Sequence, residues 1–489
     1  FHAEGCIRDV LGSVGLGDVY KRKIWQQEVL LMRSLTELDN KITAASKDVY
    51  ALIDKITDEQ SFVETDKFIG SGTSLGYAAG EGVVSGIASV DDIQVGIFAI
   101  NGKVLLGGIG KSNAEKISKC VANAVKMSAP VIGVIDTSGA RFAEGIEALE
   151  GYGKIIEAFS GAYGMVPTIL VVKGNNFGSL SYLPAMCDFT VCYEKSVSAT
   201  SSPLILAAQS TADVASVGTA KIMAENGVSS FTVKNDGELG ELIKKLLNTL
   251  TVDFIDTEDD GNRVSDLAGE TDVRKIIANV FDKGTFIEVK KDYAPEVVTG
   301  FARLNGISVG VVAGNPAEKD GCLTPPGAEK VTDLVNTLES FNIPLVNLVN
   351  SKGTKNCLKC QPKLMKNIGE MMYALNVASI EKIAVIVGDA LGAAYVAFAG
   401  KSVYDYVAAW DSAKIGMLDG TQSARLVYGD QIAKADDVSL AEKQFAETYE
   451  NDNMAAVCVA EKGFIDNVID PDFTRQYLIA ALQAYINKR

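Results

Sequence analysis

The sequence predicts an α/β protein made of two tandem copies of one domain. Three observations lead to this prediction: the length of the chain, the alternation of strand-like and helix-like segments, and an internal repeat at constant spacing. With 489 residues, the chain is longer than one ordinary hydrophobic core accommodates. Hydrophobic residues make up 47% of the chain and charged residues 22%, a balance typical of folded globular proteins.

The internal repeat can be read directly from the sequence. Residues 83–98 read VVSGIASVDDIQVGIF, and residues 297–312 read VVTGFARLNGISVGVV. Their matched glycines, Gly86 and Gly300, are 214 positions apart. The same separation of 214 joins Ala129 with Ile343, Gly174 with Gly388, and Gly178 with Gly392. Because this spacing holds over about 90 residues, it indicates a duplicated domain rather than a chance match.

The repeat fixes the predicted domain organisation. An N-terminal extension with a helix covers residues 1–49, the first domain residues 50–250, and the second domain residues 272–489. Residues 251–271 are polar and acidic, which is the composition of a linker between domains. Residues 1–24 are interpreted as an extension or a non-native leader, and no function is assigned to them.

Strand-like and helix-like segments alternate within each copy. The short apolar runs 129–135 and 383–387 predict buried strands. Segments 113–127 and 328–341 repeat apolar residues at helical spacing and predict helices. Strands interleaved with helices imply an α/β class in which helices cover a sheet.

Composition excludes several classes of function. The net charge of −16 argues against a nucleic-acid partner, which would require clustered Lys and Arg. No apolar run approaches the length that spans a bilayer, and no signal peptide is visible, so we expect a cytoplasmic protein. The only histidine is His2, in the terminal tail. Ser-His-Asp hydrolysis and histidine-ligated metals are therefore excluded.

The eight cysteines are scattered along the chain, and without a signal peptide we expect them to be reduced thiols. Cys357 and Cys360 form the only Cys-x-x-Cys spacing. A structural zinc site usually needs a second pair of ligands, so no metal site is predicted. An incidental pair of loop cysteines is favoured over a metal or redox role.

Four glycine-containing corners follow predicted strands and are the candidate sites of chemistry. The first copy has them at residues 136–141 and 174–179, and the second copy at residues 350–354 and 388–394. A glycine between a strand and a helix start presents unpaired backbone N–H groups that can hold an oxyanion. The alternative is a tight turn that needs glycine only for its backbone conformation.

The corner at 136–145, DTSGARFAEG, resembles a segment of the biotin-dependent acyl-CoA carboxyltransferases, a family that includes the propionyl-CoA carboxylase β and methylmalonyl-CoA decarboxylase types. The resemblance covers about residues 50–485. Further motifs follow in family order: GYGKI at 151–155, LPAMCDFT at 183–190, RLNGISVGVVAGNP at 303–316 and AAWDSAKIGMLDG at 408–420. The resemblance implies a tandem of crotonase-like (ClpP/crotonase) domains assembled as a hexamer.

The resemblance also implies a mechanism that needs no histidine. In this family carboxybiotin releases CO2, and the biotin enolate removes the α-proton of an acyl-CoA, whose own enolate attacks CO2. Two oxyanion holes stabilise the two enolates. Biotin is carried by a separate carrier protein or domain. The implied partners are that carrier, a biotin carboxylase or a membrane decarboxylase subunit, and the acyl-CoA substrate, with no metal in this chain.

Site residues follow from the resemblance position by position. In the first copy, the amides of Gly178 and Ser179 would hold the thioester oxygen. The residues expected to line the CoA site are Gly107, Gly108, Ser138, Gly139, Ala140 and Arg141. In the second copy, the amides that would hold biotin are those of Gly392, Ala393 and Ala394.

Some positions depart from the family pattern and keep alternatives open. Both family corners usually end Gly-Gly-Ala, whereas this chain has Ser179 and Ala393 at the second glycine. One alternative is therefore a catalytically weakened scaffold subunit. Another is a biotin-independent CoA hydratase or decarboxylase using Glu144 and Glu147 as a carboxylate pair. The sequence leaves the acyl group and the direction of transfer open.

Overall fold

The computed structural model describes residues 35–486 apart from 71, 74–75, 203–204, 207, 209–216 and 356. Within these residues the chain forms two eight-stranded sheets with helices packed against them, and a separate two-stranded hairpin. The first sheet takes its strands from residues 63–233 and the second from residues 287–469. The predicted duplicated α/β fold is thus confirmed. His2 and the predicted extension up to residue 34 lie outside the described residues.

The first copy contains ten strands and the helices that accompany them. Its elements are α1 Leu35–Ala45, α2 Lys47–Ile56, β1 Val63–Thr65, β2 Gly72–Thr73, β3 Gly76–Tyr77, β4 Val83–Val90, β5 Ile93–Ile100, α3 Lys111–Lys126, β6 Val131–Thr137, α4 Ile146–Ala162, β7 Thr168–Phe177, β8 Phe189–Tyr193, β9 Val197–Ala199, α5 Ala220–Glu225, β10 Phe231–Val233 and α6 Asp236–Thr251. Short 3-10 helices lie at Ala79–Gly82, Leu105–Gly107, Phe142–Glu144 and Gly178–Met186.

The second copy repeats this order and adds helices at its C-terminal end. Its elements are α7 Val273–Val280, β11 Ile287–Val289, β12 Val297–Leu304, β13 Ile307–Gly314, α8 Pro325–Ser340, β14 Leu345–Ser351, α9 Gln361–Val377, β15 Lys382–Leu391, α10 Ala393–Phe398, β16 Tyr406–Trp410, β17 Lys414–Gly416, α11 Gly420–Val427, α12 Gly429–Ala433, α13 Val438–Tyr449, α14 Ala456–Glu461, β18 Asn467–Ile469 and α15 Thr474–Ile486. Short 3-10 helices lie at Lys319–Gly321, Leu358–Cys360 and Pro471–Phe473, and a π-helical turn at Glu450–Met454.

Strand order is equivalent in the two sheets. The first runs β1-β4-β5-β6-β7-β8-β10 with β9 on β7, and the second runs β11-β12-β13-β14-β15-β16-β18 with β17 on β15. The matched glycines lie opposite the edge strands. A Cβ on Gly86 would lie 2.2 Å from the Val63 carbonyl oxygen, and one on Gly300 would lie 2.3 Å from that of Ile287. Close approach of the backbone therefore explains why both copies need glycine here.

The helices that cover the sheets have clear local causes. In α3, the buried side chains Ala114, Ile117, Val121 and Ala124 recur at three- and four-residue spacing. In α8, the Thr324 hydroxyl caps the helix by accepting from the Gly327 N–H at 3.2 Å, and Pro325 occupies the first turn, where its missing N–H costs nothing. Helix α3 begins two residues before its predicted start, and α8 begins three residues before its own.

The hydrophobic core joins the two copies. One cluster of buried apolar residues contains side chains from both sheets. At the junction the rings of Phe189 and Phe301 meet edge to face with centroids 5.7 Å apart. The copies are therefore packed together rather than merely connected.

The predicted linker, 251–271, runs as an ordered strap along the second copy. Arg303 Nη2 donates to the carbonyls of Asn248 and Val252, at 2.8 and 2.9 Å. Arg475, whose side chain is fully buried, donates to the Asp260 carbonyl at 3.2 Å and pairs with Asp282 at 2.6 Å. These two arginines hold the C-terminal end of α6 and the strap against the second domain. The domain bounds themselves stay a prediction.

The state of one cysteine pair corrects the expectation from sequence. Cys357 and Cys360 form a disulfide, whereas reduced thiols were expected throughout. The loop and the short helix Leu358–Cys360 place the two Cα atoms 5.5 Å apart, which is within the range of disulfides. Elsewhere in the described residues the cysteines are free: Cys120, Cys187, Cys192, Cys322 and Cys458.

Among the helices that the structure describes, none has the length and apolar character needed to cross a membrane.

Candidate active site

The corners of the two copies are built on the same backbone scaffold. Three successive residues take left-handed conformations in each copy: Leu105–Gly107, with φ of 47°, 54° and 66°, and Lys319–Gly321, with φ of 51°, 56° and 64°. Beyond each turn a single β-bridge joins the loop to the next corner, Ile109 with Ala140 and Leu323 with Thr354. Each pair of equivalent residues keeps the separation of 214 found in the sequence.

The first corner brings two predicted segments together. β7 ends at Phe177, and Gly178 turns with φ +78° into the helix Gly178–Met186. A Cβ built on Gly178 would lie 3.6 Å from Gly139 Cα, and Gly139 itself has φ +115°. The amides of Gly178 and Ser179 open that helix, so they precede its first internal hydrogen bonds. Two backbone donors are thus presented at one point beside Gly139.

The second corner repeats this geometry with one difference. Gly392 turns with φ +53° after β15. Gly353, with φ +96°, lies nearby: a Cβ built on Gly353 would be 3.2 Å from the carbonyl oxygen of Leu391. The Gly392 N–H already donates to the Gly416 carbonyl at 2.8 Å. Of the three predicted biotin-side amides, the donors left for a ligand are therefore those of Ala393 and Ala394, which open α10.

The substituted corner residues carry no backbone strain. Within the described residues, the left-handed non-glycine positions do not include Ser179, Ala393 or Ala394. The left-handed conformation falls on Gly178 and Gly392, which are glycine in this chain. A Cβ at the substituted positions is thus compatible with the turn, and the backbone donors are kept.

Arg141 anchors the predicted CoA loop through its side chain. Its guanidinium pairs with Glu81 at 2.5 Å and donates to the Gly108 carbonyl at 2.8 Å, and its side chain is 3% exposed. A Cβ on Gly107 would lie 1.9 Å from the Asp136 carbonyl, so only glycine allows this close approach. The Arg141 side chain is thus committed to holding the loop.

The remaining predicted CoA-side positions also meet here. The Ser138 N–H donates to the Leu106 carbonyl at 3.0 Å, and the Ser138 side chain is exposed. The Gly139 carbonyl accepts from Ile109 at 2.9 Å, directly before Ala140. The structure therefore brings Ser138, Gly139 and Ala140 next to the left-handed turn that contains Gly107.

Buried polar groups around the first corner were missed by the sequence. The Tyr152 hydroxyl lies 3.4 Å from the Cβ position of Gly178. Asn176, two residues before Gly178, is paired in register with Thr137 and Ser198. Within the described residues, buried polar atoms near this corner that lack a hydrogen-bond partner belong to Tyr152, Asn176, Ser181 and Ser198. Burial also raises the pKa of Tyr152 to about 12, so its hydroxyl stays protonated at neutral pH.

A buried polar group without a partner costs about 1–3 kcal/mol, so such groups are rare unless a ligand or water satisfies them. Their concentration beside the Gly178 turn makes this corner the candidate ligand site. Tyr152 falls within GYGKI, one of the motifs that carried the resemblance, but only its burial without a partner distinguishes it from a core tyrosine.

Glu144 and Glu147 do not form the free carboxylate pair that the hydratase alternative requires. Glu144 accepts from the Lys111 N–H at 2.7 Å and pairs with Arg141 at 3.2 Å. Glu147 pairs with the Lys111 ammonium at 3.5 Å. Both carboxylates thus stabilise the start of α3 and the Arg141 loop.

Two cavities lie away from the corner amides. A cleft of about 800 Å³ in the second copy is lined by Asn350, Lys352, Asp389 and Lys414, and burial raises the pKa of Asp389. A cavity of about 360 Å³ lies between the copies, beside Asp333. The cleft is lined by residues of both predicted corners of the second copy, Asn350, Lys352, Gly388 and Asp389, but none of the residues predicted to bind CoA, the thioester oxygen or biotin lines either cavity. In the part of the chain described, no group of three or more His, Cys, Asp or Glu side chains could hold a metal ion.

Comparison with known proteins gives the same result from sequence and from structure. The family profile described as the carboxyl transferase domain matches residues 44–489. The methylmalonyl-CoA carboxyltransferase 12S subunit of Propionibacterium freudenreichii subsp. shermanii is 31% identical, over 89% of this chain and 88% of its own length. The methylmalonyl-CoA decarboxylase α subunit of Veillonella parvula is 31% identical, over 89% of each chain.

Solved structures show the same relationship. The crystal structure of the transcarboxylase 12S hexamer with methylmalonyl-coenzyme A superposes with a TM-score of 0.87 at 28% identity, covering 96% of this chain and 95% of its own.

Proposed function

The chain belongs to the carboxyl transferase domain family, and from this membership we propose that it transfers a carboxyl group between carboxybiotin and the α-carbon of a short acyl-CoA. The observation that carries the proposal is the pair of equivalent corners at Gly178 and Gly392, each of which ends a strand with a left-handed glycine and opens a helix. Two oxyanions need two such sets of donors.

The first corner is the proposed acyl-CoA site. The amides of Gly178 and Ser179 would donate to the thioester oxygen, which gains negative charge as the α-carbon loses its proton or its carboxyl group. We also propose that Tyr152 and Asn176 donate to the substrate near this carbon, because their buried polar atoms have no partner among the described residues. Neutral donors suit this place because they stabilise negative charge without adding a buried cation.

The second corner is the proposed biotin site. The amides of Ala393 and Ala394 present two donors, which matches the two lone pairs of one urea carbonyl oxygen. When bound, carboxybiotin supplies the carboxyl group as CO2. The protein's own contribution is to orient the ring and stabilise the oxygen, and no side-chain base is required.

The chain is further proposed to work within a larger assembly in the cytoplasm. Biotin would arrive on a carrier protein, with a biotin carboxylase or a membrane decarboxylase subunit as the other partner. A homohexamer is proposed because the similar transcarboxylase 12S forms a hexamer. Self-association is supported by large apolar side chains on α11 and α13, where Leu426, Val427 and Leu440 are each more than half exposed. Sedimentation at several concentrations tests this: a monomer throughout would contradict it.

The test of the function uses the purified chain with methylmalonyl-CoA or malonyl-CoA, with and without free biotin. Loss of the carboxyl group that requires biotin would support carboxyl transfer. Turnover without biotin would instead support a biotin-independent decarboxylase. If neither free biotin nor a carrier protein gives turnover, while CoA binding persists, the chain is a scaffold subunit.

A further inference from the structure

The disulfide between Cys357 and Cys360 lies in a loop that no part of the proposed mechanism uses. Both cysteines are partly exposed, and Leu358 between them is 93% exposed. Reagents in solution can therefore reach the pair. In the described residues it is also the one place where two cysteines are bonded.

The surroundings of this pair favour the thiolate form of a reduced cysteine. The Cys360 N–H donates to Cys357 Sγ at 3.2 Å, and the seventeen-residue helix α9 begins at the next residue, Gln361. Residues 351–369 contain five lysines and no acidic residue. Positive charge and a helix N-terminus together stabilise a thiolate, which is the species that exchanges with disulfides.

The pair is linked to the second corner by two short routes. Along the chain, Cys357 lies four residues after Gly353, and a Cβ built on Gly353 would lie 3.2 Å from the carbonyl oxygen of Leu391, the residue before Gly392. Through space, Leu364 and Ile368 of α9 pack in the same apolar cluster as Ala394 of α10. A change at the pair can therefore reach the amides of Ala393 and Ala394.

We propose that Cys357 and Cys360 are a redox-active dithiol that is oxidised reversibly by small-molecule disulfides and tightens the second corner when oxidised. One thiolate attacks the small disulfide and forms a mixed disulfide, releasing one small thiolate. The second cysteine, as its thiolate, then attacks the mixed disulfide, forms the Cys357–Cys360 bond and releases the other small thiolate. The dithiol loses two electrons, and the small disulfide gains them.

The chemical half of the proposal is tested by mass spectrometry. The full chain is reduced, equilibrated with mixtures of reduced and oxidised glutathione, alkylated and digested with trypsin. Because Lys359 lies between the cysteines, the bond would join peptides 356–359 and 360–363 into one species. We expect this linked species to appear and disappear with the glutathione ratio. Separate, alkylated peptides at every ratio would overturn the proposal.

The link to the second corner rests on the proposed function, and it is tested separately. Oxidised enzyme is expected to have a KM for free biotin at least threefold below that of reduced enzyme, with the KM for acyl-CoA unchanged. Cys357→Ser and Cys360→Ser should both keep the reduced value under either condition, whereas Cys458→Ser, at a partly buried free thiol elsewhere, should respond as wild type. If the biotin KM is the same in the oxidised and reduced enzyme, with the change of redox state shown by mass spectrometry, the coupling is refuted and the carboxyltransferase proposal is unaffected.

Discussion

The two copies share a backbone but differ in what holds their loops. The first copy anchors its loop with the buried ion pair of Arg141 and Glu81. At the position equivalent to Arg141, the second copy has Lys355, whose side chain is exposed. Yet both loops keep the same bridge and the same left-handed turn. In the second copy the buried Glu296 pairs with Lys319 of the left-handed turn at 3.0 Å, so each loop is anchored by a buried glutamate but by a different cation.

A second contrast concerns the polarity of the corners. Around Gly178 the buried Tyr152 and Asn176 have polar atoms without a partner among the residues that the structure describes, whereas the buried Tyr404 of the second copy accepts from Asn347 at 3.0 Å. The first copy thus keeps open hydrogen-bonding capacity in its interior. In the second copy, the buried Tyr404 hydroxyl instead has a protein partner.

The largest expected effect tests the difference in anchoring. Arg141→Met would remove the buried ion pair between Arg141 and Glu81, and breaking a buried ion pair costs about 3–5 kcal/mol. Lys355→Met at the equivalent exposed position should change the free energy of unfolding by less than about 0.5 kcal/mol. Thermal unfolding of both variants measures this. Equal losses would mean that the two loops are anchored alike.

The next prediction tests whether the Gly178 corner acts on acyl-CoA and the Gly392 corner on biotin. Gly178→Ala forces a side chain onto φ +78° and displaces a donor, and losing one such donor lowers turnover about 100- to 1000-fold. Gly392→Ala should lower biotin-dependent turnover while leaving the calorimetric affinity for acyl-CoA within twofold. Gly153→Ala, in a helix with no atom near its Cβ position, is the matched control. Lost CoA affinity in the Gly392 variant would reverse the assignment.

Two tyrosine variants sharpen the contrast in polarity. Tyr152→Phe should lower kcat/KM for acyl-CoA, with a loss of transition-state stabilisation of about 1–3 kcal/mol. It should not lower thermal stability, since the hydroxyl has no partner among the described residues and its removal relieves the cost of burying it. Tyr404→Phe should do the opposite, with a stability loss of about 1 kcal/mol and unchanged kinetics. If both variants only lose stability, Tyr152 is a structural residue.

The smallest expected effect concerns a feature that the copies share. Lys116 and Lys330 are buried at equivalent positions, and burial lowers the pKa of each to about 8. Between pH 8 and the ordinary lysine pKa of 10.5, the unfolded chain therefore binds more protons than the folded one, and stability rises with pH.

Each lysine should contribute at most about 1.4 kcal/mol of this rise per pH unit. Lys116→Met and Lys330→Met should each remove a similar part of it, as measured by urea unfolding at pH 8.5 and 9.5. Unequal contributions would show that the two lysine sites differ despite their common backbone.

The sequence predicted the duplicated fold well because glycine is required by local geometry. Gly86 and Gly300 face carbonyl oxygens, and Gly178 and Gly392 have left-handed backbone conformations, so glycine recurs at the same spacing in both copies. The sequence therefore also predicted where these corners lie. It did not predict that the Gly392 N–H is already hydrogen-bonded, since the acceptor, the Gly416 carbonyl, lies on a different strand that pairs only after folding.

Long-range side-chain contacts account for the rest of what was missed. The Glu81–Arg141 ion pair joins residues 60 positions apart, and no local pattern indicates that pairing. The strap at 251–271 has the composition of a free linker, and the side chains that anchor it, Arg303 and Arg475, lie later in the chain, where no local pattern links them to it. Likewise, the spacing of Cys357 and Cys360 is equally compatible with free thiols, and only the loop geometry distinguishes the two states.

The core that joins the sheets through Phe189 and Phe301 has a consequence for how the chain could be divided. A protease that cut the exposed part of the strap near Glu258 would break the covalent connection but not the apolar contact between the halves. The halves would remain associated as a nicked complex. By the same reasoning, two separately translated polypeptides meeting at the strap could assemble into the same structure, so one continuous reading frame is convenient for this architecture but not required by it.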